Sequence, residues 1–580
     1  MDGNLSLRHF LRIMIDYPWF AHYDRDVPRT LAPYPERTLL DYAADAMRER
    51  PESPVLLFKG TTVTRAQLDR ASDAFAAALA GLGVKRGDRM ALVLPNCPQF
   101  FVAEFALWKL GAILAPLNPV YTEEELIGPL NLVEANIVLT LTPFYERVKA
   151  IQAKTSVRRV ITTNIKEWFP PLLRLAFTAF AEKKAGHRSV RRDGDLSMAD
   201  LVARHDGERP SGPPAAPDDI AMLLLSGGTT GTPKAVPCPH RGLVTTGLQL
   251  RAWTKIVMLE WTDVYMLPLP LFHSYGACAV QTAAIINRNP IALIPNPRDL
   301  DDIVKSVARV KPAAFSGVPT LYNALLNHPK VKSGQVNFRS LKACTSGAAP
   351  LMAETKKRFE AVTGGRIIEA YSLTEALIAA TANPPGGEWK SGSVGIPLPD
   401  VIVKIVDADD PTRAMPTKEV GEILIQGLQV MKGYWRNPEE TALTIVIDAT
   451  GETWLHTGDL GYMDEDGYLF IVDRKKDLIK PSGLQVWPRE IEEAISSHPA
   501  VAEVGVRGFP DEKRGEIAVA FVVLRQGMAA TAEEIREFCK QHLTYYKIPS
   551  KVIFRRELPK SLVGKVLRRM LTLEEPGAAT

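Results

Sequence analysis

Cysteine is scarce and scattered. Five residues in 580 (Cys97, Cys238, Cys278, Cys344, Cys539) include no C-x-x-C pair. That argues against a disulfide framework and a thiolate zinc site, and predicts a reducing compartment. An excess of one charge is also missing. Seventy Lys and Arg face 66 Asp and Glu, a net +4, too weak a bias at this length for a nucleic-acid partner, and none is expected. Long hydrophobic runs are few. The one extended charge-free stretch, 264–287 with His273 counted neutral, is interrupted by Pro268, Pro270, His273, Ser274 and Gln281. It reads as buried core or tunnel wall, not as a membrane span. The opening "MDGNLSLRHFLRIMIDYPWF" has no unbroken apolar core and no small-residue cleavage site, so no secretory leader is expected. There is no internal repeat.

What is present is ordinary globular material: 46% hydrophobic and 23% charged residues, enough for a large buried core and roughly three or four domain-sized units. Strand-like and helix-like runs alternate from about residue 60. "RMALVLP", then the helically spaced "CPQFFVAEFALWKLG", then "AILAPLN" predict a βαβ unit. "ANIVLTL", "RRVITTN", "IAMLLLS", "AAFSGVP" and "LKACTSG" are short apolar runs ending in small or turn-forming residues, as parallel strands of a covered sheet do. From "DVIVKIVD" onward the texture changes to short alternating strands with Gly and Asp turns. The predicted fold is α/β, with a large N-terminal domain (1–473) of covered, mainly parallel sheets and a β-barrel-like part. A small α+β domain (474–580) follows the charged "DRKKD".

The densest chemistry lies in "SGGTTGTPK" (226–234). Glycines let backbone N–H groups converge on phosphate oxygens, threonine hydroxyls add donors, and lysine adds charge. The stretch is not the P-loop of NTPases. Lys234 comes three residues after Gly231, with Pro233 before it, and no Ser or Thr follows to hold Mg²⁺. A turn without a ligand would not need so many donors.

With its neighbours, "SGGTTGTPKAV" resembles the phosphate loop of the AMP-forming adenylating enzymes, which include acyl-CoA synthetases, luciferases and peptide-synthetase adenylation domains. The resemblance continues in order through "PLPLFHSYGA", "TSGAAPL", "EAYSLTEA", "GEILIQGLQVMKGYWRNPEET", "WLHTGDLGYMDEDGYLFIVDRKKDLIKPSGLQVWPREIE" and "LPKSLVGKVLRR". It implies two half-reactions: a carboxylate attacks the α-phosphorus of ATP, giving acyl-AMP and pyrophosphate, and a thiol then displaces AMP. Such catalysis is mainly positioning and charge neutralisation. By the resemblance, Thr229, Thr230, Gly231 and Lys234 grip the β- and γ-phosphates, and Thr374 bonds the α-phosphate. Tyr371 stacks on adenine beside the backbone of Ala348. Asp459 accepts the ribose hydroxyls, with Arg474 as second contact. Glu375 would be the Mg²⁺ ligand, a carboxylate suited to a hard cation. His273 becomes a wall or gate of the acyl site, where a lone histidine would otherwise read as core. Lys565, otherwise a surface lysine, would bridge carboxylate and α-phosphate. Lys476 resembles a pivot between two poses of the C-terminal domain. Lys480 and Gly483 would face the active site during thiol transfer, glycine leaving room for pantetheine. Ala235, Ala348 and Ser372 stand where glycine is commoner in the family.

The acid is read from two further features. The run "SYGACAVQTAAII" after His273 is small and apolar, and the insertion 165–188 resembles one in long-chain fatty acyl-CoA synthetases. That insertion sets Leu172, Leu173, Leu175, Ala176, Phe177 and Phe180 before Lys183, Lys184, His187, Arg188, Arg191 and Arg192. It is either a surface element packed on its own domain or, over 165–192, an interfacial helix on anionic lipid. The expectation is a cytoplasmic fatty acid–CoA ligase using ATP, Mg²⁺ and CoA, with peripheral contact at the inner membrane face and a homodimer left open. The alternatives are transfer to a carrier protein, a short or aromatic acid, a luciferase-like oxygenase, and a binding protein without turnover.

Overall fold

Strands whose every position is apolar must be covered on both faces, and this is how the short runs are used. The computed structural model describes residues 16–212, 214–226, 233–349, 351–560 and 565–574. Ile137–Leu141 and Ile113–Pro116 are buried at every position. Helix Pro98–Lys109, which joins Arg89–Val93 to its parallel neighbour Ile113–Pro116, is buried from Pro98 to Trp108. A helix apolar all round belongs in the interior of a large protein.

By its contacts the chain divides into two units, one of 1–389, 395–402 and 425–455, the other of 390–394, 403–424 and 456–580. The first unit holds two sheets. The seven-stranded sheet runs Leu196–Ser197, Arg159–Thr163, Ile137–Leu141, Arg89–Val93, Ile113–Pro116, Ile220–Ser226, Lys234–Pro239. Only its last pair is antiparallel, a hairpin that sets Ser226 opposite Lys234. In the nine-stranded sheet, Ile291–Leu293, Tyr265–Leu267, Ala314–Gly317, Ala343–Ser346 and Arg366–Tyr371 are consecutive parallel neighbours. Parallel strands end at one edge. The loops after Leu267, Ser346 and Tyr371 therefore leave the sheet together, the usual place for a ligand in such folds. Every apolar run expected as a strand is one.

The second unit is α+β. Val501–Asp511 pairs antiparallel with Gly515–Leu524, which takes Lys551–Phe554 in parallel. The period-2 alternation of "AVAFV" splits the strand: Ala518, Ala520 and Val522 join Ile491, Ile495, Ile535 and Cys539 from helices Pro488–Ser496 and Ala532–His542, while Val519 and Phe521 meet Leu558 and Leu571 on the other face.

The insertion departs from the single amphipathic helix that its spacing predicts. It forms short pieces, Ile165–Trp168, Pro171–Ala176 and the π-helical Phe177–Ala181. Phe177 packs edge-on to Phe169 and His187. Leu172, Leu175 and Phe180 are not on that face and stand 85%, 73% and 86% exposed. His187 leaves the basic group: burial lowers it to about 4, so it is neutral.

Candidate functional site

In the first unit the three loops at the sheet edge bring the expected residues together. After Tyr265–Leu267 comes His273, whose Nδ1 accepts the backbone N–H of Tyr275 at 3.2 Å. Ser274 Oγ lies 2.8 Å from Thr374 Oγ1, so the acyl-site motif and the "YSLTE" motif touch. Tyr275 donates its hydroxyl to Thr345 Oγ1, which donates to Ser316 Oγ, both at 2.8 Å.

Glu375 lies in the 3-10 turn Thr374–Ala376, where its Oε1 accepts the hydroxyl of Tyr434 at 2.9 Å. Burial, and then the Glu375 carboxylate, push the Tyr434 phenol well up, so that hydroxyl stays a donor. The Lys234 ammonium sits 5.0 Å from the centre of the Tyr434 ring and pairs with Glu440. Backbone bonds fasten the same segment at both ends, Met431 N–H to Glu375 O and Trp435 N–H to Ala235 O, each 2.8 Å. Lys234, Glu375, Thr374 and His273 are thus parts of one constellation. Tyr434 and Glu440 join it unannounced: both lie in "GYWRNPEET", whose letters carry no spacing rule that would single them out.

Ala348 has φ +66° and Tyr371 ends the strand Arg366–Tyr371, opposite Thr381. The left-handed backbone at Ala348 gives the physical reason for glycine's frequency there. Ala235 lies in an extended strand opposite Leu225 and needs no such freedom. Thr229, Thr230 and Gly231 lie outside the described residues.

Asn96 is another residue that sequence reasoning passes over. It is buried in the loop before helix Pro98–Lys109. Its amide donates to Leu267 O at 3.1 Å and Leu269 O at 2.8 Å, and its Oδ1 accepts from Leu271 N at 3.0 Å. One side chain thereby pins the loop that leads into His273.

The second unit holds the remaining candidates. Asp459 and Arg474 are cross-strand partners in Thr453–Met463 and Leu469–Arg474, with Arg474 Nε 3.0 Å from Asp459 Oδ1. Asp459 is buried, and its N–H donates to Thr457 Oγ1 at 3.1 Å. Lys565 is exposed as a residue. Burial first, then the Arg474 guanidinium, lower it to about 8, against the opposing pull of Asp459. Arg568, three residues on, ties this segment to Asp473 and Glu492, both at 2.6 Å. Lys476 lies in the turn Lys475–Asp477, its amine lowered by burial. Lys480 is exposed, and its N–H donates to Glu516 Oε2 at 2.7 Å. Gly483 has φ +83° and open space where a Cβ would project. Its backbone conformation alone therefore accounts for glycine, which the sequence reading ascribes to room for a ligand.

The chain matches two family models, AMP-binding enzyme over residues 43–435 and AMP-binding enzyme C-terminal domain over 490–565. It is 37% identical to a long-chain-fatty-acid–CoA ligase of Bacillus subtilis (strain 168) over 560 residues, 96% of this chain and 98% of that one. Among solved structures it resembles the anthranilate CoA ligase AuaEII in complex with anthranoyl-AMP (26% identity, TM-score 0.79, 92% of this chain and 96% of that one). It also resembles ATP-bound MatB from Rhodopseudomonas palustris (29% identity, TM-score 0.77, 91% and 97%).

Proposed function

The chain belongs to the AMP-binding enzyme family, and on that premise we propose that it is an AMP-forming ligase joining a long-chain fatty acid to CoA. The observation that carries the choice of acid is the end-to-end likeness to the long-chain-fatty-acid–CoA ligase. The geometry supplies the chemistry. Lys234, with Thr229, Thr230 and Gly231, holds the leaving pyrophosphate. Among the described residues no group of three or more His, Cys, Asp or Glu could hold a metal alone. Glu375, its Oε1 already oriented by Tyr434, suits Mg²⁺ that is shared with ATP phosphates, since that ion is commonly held by one or two carboxylates plus phosphates and water. Mg²⁺ would neutralise phosphate charge there. Asp459 and Arg474 take the ribose, Tyr371 and Ala348 frame the adenine, and Thr374 meets the α-phosphate. His273 walls the acyl carboxylate. Lys565 brings a cation to the reacting carboxylate and α-phosphate. The segment 474–580 turns about Lys476 between the half-reactions, and Lys480 and Gly483 then flank the CoA thiol.

Pyrophosphate release with palmitate, ATP and Mg²⁺, with and without CoA, tests this reading. Palmitate should support sustained release only with CoA. Turnover confined to short or aromatic acids, or transfer only to a carrier protein, would replace it.

The same enzyme docks on anionic lipid through 165–192. Among the described residues no helix is long and apolar enough to cross a membrane. Leu172, Leu175 and Phe180 are exposed beside the exposed Lys183, Lys184 and Arg188. Burying the three apolar side chains is worth roughly 4–6 kcal/mol, and each basic residue about 1 kcal/mol at an anionic surface. The five cysteines are free and buried, which supports a reducing, cytoplasmic setting and hence the inner face. Changing Leu172, Leu175 and Phe180 to Asp should lower co-sedimentation with phosphatidylglycerol vesicles at an unchanged melting temperature. Unchanged vesicle binding would end the idea.

A further inference from the structure

Glu104 is the acid least expected where it lies. It sits in the middle of helix Pro98–Lys109 with none of its surface exposed. Fully buried carboxylates without a cation are rare, because the charged form loses its hydration. Among the described residues its side-chain hydrogen-bond partner is Gln281, whose Nε2 donates to Glu104 Oε2. Gln281 is itself buried and closes the π-helix Tyr275–Gln281, which begins two residues after His273. Two oxygens in this pair have no partner among the described residues: Glu104 Oε1 and Gln281 Oε1. Each can only accept while Glu104 is ionised. One proton on Glu104 Oε1 removes both defects, because an acid and an amide then exchange two parallel hydrogen bonds, N–H to Oε2 and O–H to the amide oxygen.

We propose that Glu104 is a positioning residue of the acyl site, protonated in the working enzyme, which by its paired bonds to Gln281 fixes the helix that carries on from His273. This rests on the reading of 273–281 as acyl-site wall. The rest of the segment is held in the same way. Asn96, on the loop ahead of the Glu104 helix, grips 267–271. Gly276 packs so close to Pro270 that a Cβ there would lie 2.4 Å from its carbonyl oxygen. Asn96 and Glu104 thus tie down the two ends of the stretch that contains His273 and Ser274. π-Helical turns are frequent at functional sites and need such support.

The surroundings keep the proton in place. Burial raises Glu104 to about 8, against the single bond from Gln281. The ionisable group facing it from the partner helix is Cys278, with Cys238 behind it; burial, then Cys238, push the Cys278 thiol well up, so it stays neutral. His240, whose ring meets Trp108 of the Glu104 helix at 5.2 Å, is lowered by burial to about 4 and is neutral too. As pH rises through about 8, Glu104 ionises, its donor is lost, and both buried oxygens, Glu104 Oε1 and Gln281 Oε1, are left as acceptors without a donor among the described residues.

The test compares wild type with Glu104→Gln, which can donate to and accept from Gln281 without titrating, and with Glu104→Leu, which can do neither. KM for the fatty acid and melting temperature are followed from pH 5 to 9.5. In wild type KM for the acid should rise about fivefold above pH 8, the loss of one buried bond. In Glu104→Gln it should stay level, and in Glu104→Leu it should be high throughout. The folded acid titrates above its unfolded value, so its stability contribution is present at low pH and lost as pH rises toward 8. The melting temperature of wild type relative to Glu104→Gln should therefore fall between pH 5 and 8. Coincident KM and melting profiles for the two proteins would overturn the proposal. A proton-linked melting difference with a level wild-type KM would make the pair merely structural and remove 273–281 from the acyl site. Pyrophosphate release with palmitate at pH 7 would still stand as the separate test of the ligase reading.

Discussion

Replacing Lys565 tests the division of labour in this enzyme most directly. Lys565→Ala removes the cation proposed to meet the reacting groups, and the loss of one such transition-state partner costs about two to three orders of magnitude in rate. The loss should fall on adenylation, followed as pyrophosphate release. Thiolysis of supplied acyl-AMP should be largely kept if, as proposed, that half-reaction uses a second pose of 474–580. The structure adds a pH signature. Burial and Arg474 lower the Lys565 amine to about 8, so the working cation is lost as pH rises. Such an amine is about 90% protonated at pH 7 and about 10% at pH 9. At saturating acid, kcat/KM for ATP, which reports the acid-bound enzyme before ATP binds, should fall about tenfold over that interval. Lys565→Arg keeps its charge throughout and should show no such fall, whatever its absolute rate. Equal losses in both half-reactions for Lys565→Ala would refute the two-pose scheme. A flat wild-type profile would refute the crowded, partly neutral lysine.

Tyr434→Phe deletes the hydroxyl on Glu375 while keeping the ring under Lys234. The loss of one hydrogen bond to a carboxylate, part-exposed here, should raise KM for Mg·ATP about fivefold and leave KM for the acid alone. Asn96→Ala leaves Leu267, Leu269 and Leu271 without their buried partner, so differential scanning calorimetry should show a lower melting temperature, and KM for the acid should rise more than KM for ATP. Gly483→Leu should let acyl-AMP form while acyl-CoA output drops. Its control is Gly483→Ala, which carries the same backbone strain of about 1–2 kcal/mol at φ +83°; equal losses in both variants would assign the effect to the backbone and not to a blocked thiol path.

Much of the fold is written in the sequence because its strands are covered on both faces. Continuous apolar runs such as "IVLTL" and "IAMLLLS" betray themselves without any partner. Glycine, threonine and lysine concentrated in nine residues likewise point to a phosphate ligand through local composition, a reading that the proposed function carries forward. What the tertiary structure alone decided are the pairings across long stretches of chain. Lys234 meets Glu440 across 206 residues, Glu375 meets Tyr434 across 59, and Glu104 meets Gln281 across 177. No periodicity records such contacts, because each partner obeys only the pattern of its own helix or loop. Burial has the same character. His187 looks basic in sequence, yet burial lowers it to about 4 and makes it neutral, and burial raises Glu104 to about 8, by removing the water that would stabilise their charge. Leu172, Leu175 and Phe180 show the converse, since residues that read as a packing face are left in solvent once Phe169, Phe177 and His187 have packed together.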